Sequence, residues 1–247
     1  MASPRPPCSA SRAGTLIGDL SGWRTAFVAV GVLGLAALVG LLAVMPRLPS
    51  QGTIGFRELP LLLRDNPRAR LGVIITFLLI SGHFTAYTFV RPILAEVGGI
   101  EAGLIGVLLM AYGAAGIAGN FVAGSRATGN LLSTLITICA ALGAVTAVFA
   151  LTDPGPVTGI ALLVVWGVAY GGVSVSLQTW MLRAAPGTPE AASSLFVATF
   201  NLSIALGALI GGAAADGIGL TGVLAVAACL LLWAAATIGT ARTGRTI

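Results

Sequence analysis

The chain has 247 residues, of which 57% are hydrophobic and only 9% charged, and its mean hydropathy is +1.00. A soluble domain carries roughly 25% charged residues, and a soluble fold of this length could not hide so much apolar surface, so a water-soluble class is excluded and hydrocarbon is the fitting solvent. The net charge of +5 is carried by arginine, for the chain has no lysine; because the arginines sit between apolar runs, they point to anionic lipid headgroups and topology rather than to nucleic acid.

A bilayer core about 30 Å thick takes about 20 apolar residues of helix at 1.5 Å each. Residues 1–13 are rich in Pro, Ser and Arg, form an irregular tail and contain no apolar stretch of the signal-peptide kind. Residues 14–24 read like the end of an earlier helix that has lost its first half, so truncation or an upstream frameshift is expected. Seven apolar spans then follow: 25–45, 71–90, 103–122, 131–151, 157–178, 193–212 and 220–240. They are continuous Ala/Leu/Gly-rich runs, not alternating patterns, which selects helices over a barrel. The expected class is an all-α integral membrane protein with about seven transmembrane helices.

The connections carry their own chemistry. A central loop, 46–70, holds Pro46, Pro49, Gly52 and Pro60, and residues 241–247 form a tail. Asn66-Pro67 and Thr188-Pro189 each set a capping side chain before a proline, a helix-start signal. Asp153-Pro154-Gly155-Pro156 reads as a tight turn. Arg47, Arg57, Arg64, Arg68, Arg70, Arg126, Arg183, Arg242 and Arg245 all fall on one side of the spans, while the loops opposite, from the second span onward, hold only Arg91. Positive loops stay inside. The central loop and the C-terminus are therefore expected in the cytoplasm, in a multi-pass protein of the inner (plasma) membrane.

Polar groups at membrane depth are rare and expensive, so each is a candidate. His83 shares a helical face with Thr76, Tyr87 and Arg91. Two readings stand for it: a face that lines a cavity, binding polar solute groups or relaying a proton, and a His satisfied by a neighbouring helix. Gln178, with Ser174 and Gly171 on its face, is read as cavity-lining. Asn201 fits either the cavity or a hydrogen bond between helices. Tyr112 joins them as a less central candidate. Trp166 is deep enough to face the cavity, and Trp180 reads as an interface anchor. Ala111, Ala115, Gly119 and Ala123, and again Ser203, Gly207, Gly211 and Ala215, form small-residue ridges at spacing four that let helix backbones approach. Tyr112 and Gly119 align with Phe200 and Gly207 at an offset of 88 residues, and Ala86-Tyr87 echoes Ala169-Tyr170. This suggests two inverted three-helix repeats, spans two to four and five to seven.

Nothing in the sequence reads as an enzyme. It offers no nucleophile–base set, paired carboxylates, phosphate loop or metal cluster, and no cofactor is expected. Cys8, Cys139 and Cys229 show no metal or redox spacing.

The stretch Gly82-His83-Phe84-Thr85-Ala86-Tyr87-Thr88-Phe89-Val90-Arg91-Pro92 resembles the seventh-helix signature of one group of the major facilitator superfamily, the proton-driven drug and sugar efflux transporters that include arabinose-efflux-like and chloramphenicol-resistance permeases. Trp166-Gly167-Val168-Ala169 with Leu177-Gln178-Thr179-Trp180-Met181 is similar to the tenth-helix region of that group, and Phe200 to Gly207 with Gly211-Gly212 to its eleventh helix. Gly119-Asn120 to Arg126 resembles its loop between helices eight and nine, without the usual acidic residue. The resemblance spans about residues 14–240. It implies a fold of twelve helices in two six-helix halves with substrate bound between them. On that reading residues 14–45 are a remnant of the N-terminal half ending in one helix, and 71–240 are the C-terminal six-helix half.

The implied function is a secondary transporter exchanging a small organic molecule, a drug or sugar, for protons. The lipid bilayer is its surroundings, and an N-terminal half or a homodimer partner completes it. The alternatives are a membrane fragment that does not transport and a seven-helix receptor; a retinal pump would need a Schiff-base lysine, which the chain lacks.

Overall fold

The computed structural model describes Val28, residues 31–45 and residues 58–243. The chain divides into two compact units, Met1–Thr53 and Ile54–Ile247. In the first, helix α1 (Gly31–Val44) is apolar throughout. It covers most of the expected first span; residues 25–27 and 29–30 of that span, the stretch 1–24, the loop segment 46–57 and the last four residues lie outside the described residues.

The second unit is helical, with no strand among the described residues. The half of the central loop that is described is not irregular: α2 (Glu58–Asp65) forms there, turning Leu59, Leu62 and Leu63 onto the core. That i, i+3, i+4 spacing is the apolar stripe of an amphipathic helix. Next come α3 (Pro67–Tyr87), the single turn α4 (Val90–Pro92), a π-helical turn over Ile93–Val97, α5 (Ala102–Leu151), α6 (Gly155–Gly171), α7 (Val173–Ala184) and α8 (Pro189–Thr243).

Asn66 starts α3 as its sequence position suggests. Its side-chain oxygen accepts from the backbone N–H groups of Arg68 and Ala69, both at 3.0 Å, and its amide nitrogen donates to the Ala184 carbonyl at 2.7 Å. One residue thus caps one helix and ties it to the end of another. Trp180 reinforces the same junction, donating from Nε1 to the Arg68 carbonyl at 3.0 Å. Trp180 is therefore a buried strut rather than the interface anchor read from the sequence.

The six spans expected after the loop appear in only four continuous stretches long and apolar enough to cross a membrane. The difference lies in the turns. α5 is broken by the single non-helical residue Asn130, and α8 by Gly219, whose φ of 71° is a left-handed value suited to glycine. A straight 50-residue helix would hold its ends about 75 Å apart. Instead Leu151, at the end of α5, lines the same recess as Val97, just before its start. α5 therefore folds back at Asn130 into two arms, 102–129 and 131–151. α8 does likewise: in its first arm Gly207 meets Ser81, and in its second Leu230 and Leu231 meet Gly82. α6 and α7 make one further apolar stretch interrupted at Gly172.

The loops sort to two ends. Arg68, Asn130, Trp180 and Arg183 gather at one, where Arg68 and Arg70 also meet Thr237 and Ala241; Glu96, Asp153 and Leu220 gather at the other. This is the same-side grouping that the arginine distribution suggests.

Candidate functional site

α3 supplies the centre of the site. His83 is wholly buried, and its Nδ1 accepts a hydrogen bond from Trp166 Nε1 on α6 at 3.1 Å. An indole N–H only donates, so Nδ1 carries no proton and the neutral ring carries its proton on Nε2. That Nε2 is buried and has no partner among the described residues.

Aromatic rings hold the imidazole in place. Tyr170 stacks on it with ring centroids 3.7 Å apart and planes 10° apart, and Tyr87 stacks at 5.1 Å. Phe84 meets it edge-on at 5.0 Å. Tyr112, from the first arm of α5, stacks on Tyr87 at 5.3 Å. Each such pair contributes about 0.5–1.5 kcal/mol beyond its buried area. Spans two, three and five are thereby joined through one set of rings.

The buried Tyr112 hydroxyl and the Ser176 hydroxyl of α7 also lack a partner among the described residues. In hydrocarbon an unmatched polar group costs several kcal/mol. Nε2–H and the Tyr112 phenol are thus unmatched polar groups within a set of packed rings. A second proton on His83 would have to sit on Nδ1 and would displace the Trp166 bond.

The structure brings His83, Tyr87 and Tyr112 together. It adds Trp166, Tyr170 and Phe84, to which the sequence assigns no firm role. The signal was the echo of Ala86-Tyr87 in Ala169-Tyr170: the same offset sets His83 against Trp166. Gln178 and Asn201 stand apart from this cluster, on exposed surface of α7 and α8. The Asn201 amide nitrogen donates to the Val197 carbonyl of its own helix at 2.8 Å, and no hydrogen bond from it to another helix is found among the described residues.

The small-residue ridges lie where spans cross. Gly119 lies against the Val168 backbone and Gly171 against Gly116, so the first arm of α5 rides directly on α6, with Ala115 against Gly167. A Cβ at Gly207 would sit 2.6 Å from the Ser81 carbonyl oxygen, and one at Gly211 2.6 Å from that of Thr85. The first arm of α8 therefore rides on α3, where the Ser81 hydroxyl donates to the Ser203 carbonyl and the Thr85 hydroxyl to the Gly207 carbonyl, both at 3.2 Å.

Against known protein families, the chain matches the one described as Major Facilitator Superfamily over residues 9–208.

Proposed function

Since the chain belongs to the major facilitator superfamily, we propose that it carries a small organic solute across the membrane as one six-helix half of a proton-coupled efflux transporter. The observation that carries this reading is the ring cluster around His83, whose Nε2–H and neighbouring Tyr112 hydroxyl find no partner among the described residues. A solute oxygen acceptor matches those donors once the packed rings of Tyr87, Tyr112 and Tyr170 part to admit it. Gln178 and Asn201, exposed on α7 and α8 apart from the cluster, are on this reading the polar groups that meet a second bundle. Alternating access needs two units that rock about a shared midplane site; the second, on this reading, is an N-terminal half. Proton coupling enters through His83, because taking up a proton there releases Trp166. The arginine-rich end and the C-terminus face the cytoplasm of a plasma (inner) membrane.

In a twelve-helix relative with the same residues around His83 and Gln178, His83→Ala and Gln178→Ala should alter which drugs or sugars are expelled while expression holds. Unchanged transport of several unrelated solutes would refute the site. The purified 247-residue chain, in liposomes under a pH gradient, should show no saturable flux on its own. Such flux would refute the need for a separate N-terminal half and favour a homodimer.

A further inference from the structure

A groove of about 640 Å³ runs between the two arms of α5 and α6, and none of the rings of the His83 cluster lines it. Its walls are mostly apolar: Val164, Val165 and Val168 of α6 face Ile138 and Ala141 of the second α5 arm. Its mouth lies at the arginine-rich end, at Arg126 and Asn130. From Asn130 to Ala141 the arm rises roughly 16 Å, about half the hydrocarbon thickness. The groove therefore has the depth of one leaflet.

The charges at the mouth are of one sign. Arg126 forms no hydrogen bond or ion pair with any described residue, and the ion pair found among them, Arg64–Asp65, lies elsewhere. Arg183 sits beside the adjoining recess, its guanidinium donating to the Thr128 carbonyl at 3.2 Å. No carboxylate lines either hollow. Asn130 caps the second arm through its side-chain oxygen, which accepts from Ser133 N at 3.3 Å, leaving its amide N–H groups to donate elsewhere. The positive end of that arm's helix dipole is at the same place.

We propose that this groove binds an anionic phospholipid, with an acyl chain along the valine-lined slot and the phosphate against Arg126 and Asn130. Charge complementarity selects the head group, and the leaflet-deep apolar slot selects a lipid over a soluble anion.

The test uses the full chain in mild detergent, exchanged with equal amounts of phosphatidylglycerol and phosphatidylcholine of identical acyl chains, re-isolated, and its retained lipid measured by mass spectrometry. Wild type should retain the glycerol lipid preferentially. Arg126→Gln should lower that retention about tenfold, the loss expected from removing a charge-assisted contact, to the level of the choline lipid. Val165→Trp, which fills an exposed stretch of the slot and leaves Arg126 in place, should lower retention of both. Equal retention of the two lipids by wild type would overturn the proposal, as would Arg126→Gln retaining phosphatidylglycerol at the wild-type level. Displacement of the lipid by excess inorganic phosphate would assign the mouth to a soluble anion. A change of oligomeric state in Val165→Trp without loss of lipid would assign the slot to protein, and either result refutes a lipid site. Should Arg126→Gln not remain monodisperse, Arg126→Met, with the same expected loss of phosphatidylglycerol retention, and Val165→Trp decide on the same readouts.

Discussion

Gly207→Ala tests the crossing of α3 and α8. The added methyl would lie 2.6 Å from the Ser81 carbonyl oxygen, 3.0 Å from Ser81 Cα and 3.1 Å from Phe84 Cβ. To reach ordinary contact distance the first arm of α8 must retreat by roughly 0.8 Å. The Ser81 bond to the Ser203 carbonyl is already 3.2 Å long and would open, as would the longer limb, to the Gly207 carbonyl at 3.2 Å, of the one proton that Thr85 shares with the Ser81 carbonyl. Thr85 keeps its bond to the Ser81 carbonyl at 2.7 Å. Such bonds contribute about 0.6 kcal/mol each in membranes, and overpacking costs about 1–3 kcal/mol. The gain of roughly 0.5–1 kcal/mol from replacing a helical glycine by alanine offsets part of this. The expected net loss is about 2 kcal/mol. It is read from unfolding of the purified chain in mixed micelles of rising dodecyl sulfate content, followed by tryptophan fluorescence. Gly212→Ala is the control, because a Cβ there meets nothing within 4 Å; it should be neutral or slightly stabilising. Equal stability of Gly207→Ala and wild type, or equal loss in the two variants, would refute the close-approach argument.

Trp166→Phe keeps the ring but removes the donor to His83 Nδ1, and should destabilise the chain by about 1–3 kcal/mol in the same titration; His83→Phe combined with Trp166→Phe should recover part of it. Asn66→Ala removes both the cap of α3 and the bond to the Ala184 carbonyl, and a loss of about 2 kcal/mol is expected, against the few tenths that an ordinary exposed loop position would show. Single cysteines replacing Arg64 and Asp153, in a background free of the native cysteines, should be respectively protected from and labelled by an impermeant reagent on intact cells. The reverse pattern would invert the orientation.

The spans were legible because hydrocarbon imposes a length and a composition on each of them. Asn66 was legible as a cap because capping is local chemistry. The turns at Asn130 and Gly219 were legible only as places where apolar runs pause; that one residue suffices to reverse each helix depends on how the arms pack afterwards. Trp180 was misread because its position near a span end suits a lipid interface equally well, and only the Arg68 carbonyl, 112 residues away in sequence, decides otherwise. His83, Tyr87 and Tyr112 were picked out by polarity at depth. Gln178 and Asn201 were chosen by the same rule, yet they lie outside the ring cluster, because polarity at depth does not say which way a helix face turns.

The bond between His83 and Trp166 joins residues 83 apart, and Tyr87 and Tyr170 are separated by the same interval. Under the repeat read from the sequence, these are equivalent positions of two copies of one ancestral unit, meeting each other at the centre of the bundle. Two tryptophans there would present two donors and no acceptor, and two histidines would need opposite tautomers. A duplicated unit can close this contact well only by ceasing to be a duplicate at that point. On that repeat an exchange of roles between the two positions keeps donor and acceptor matched, whereas a change in one strands the other. On that repeat, the His83–Trp166 contact is where the two copies are least interchangeable.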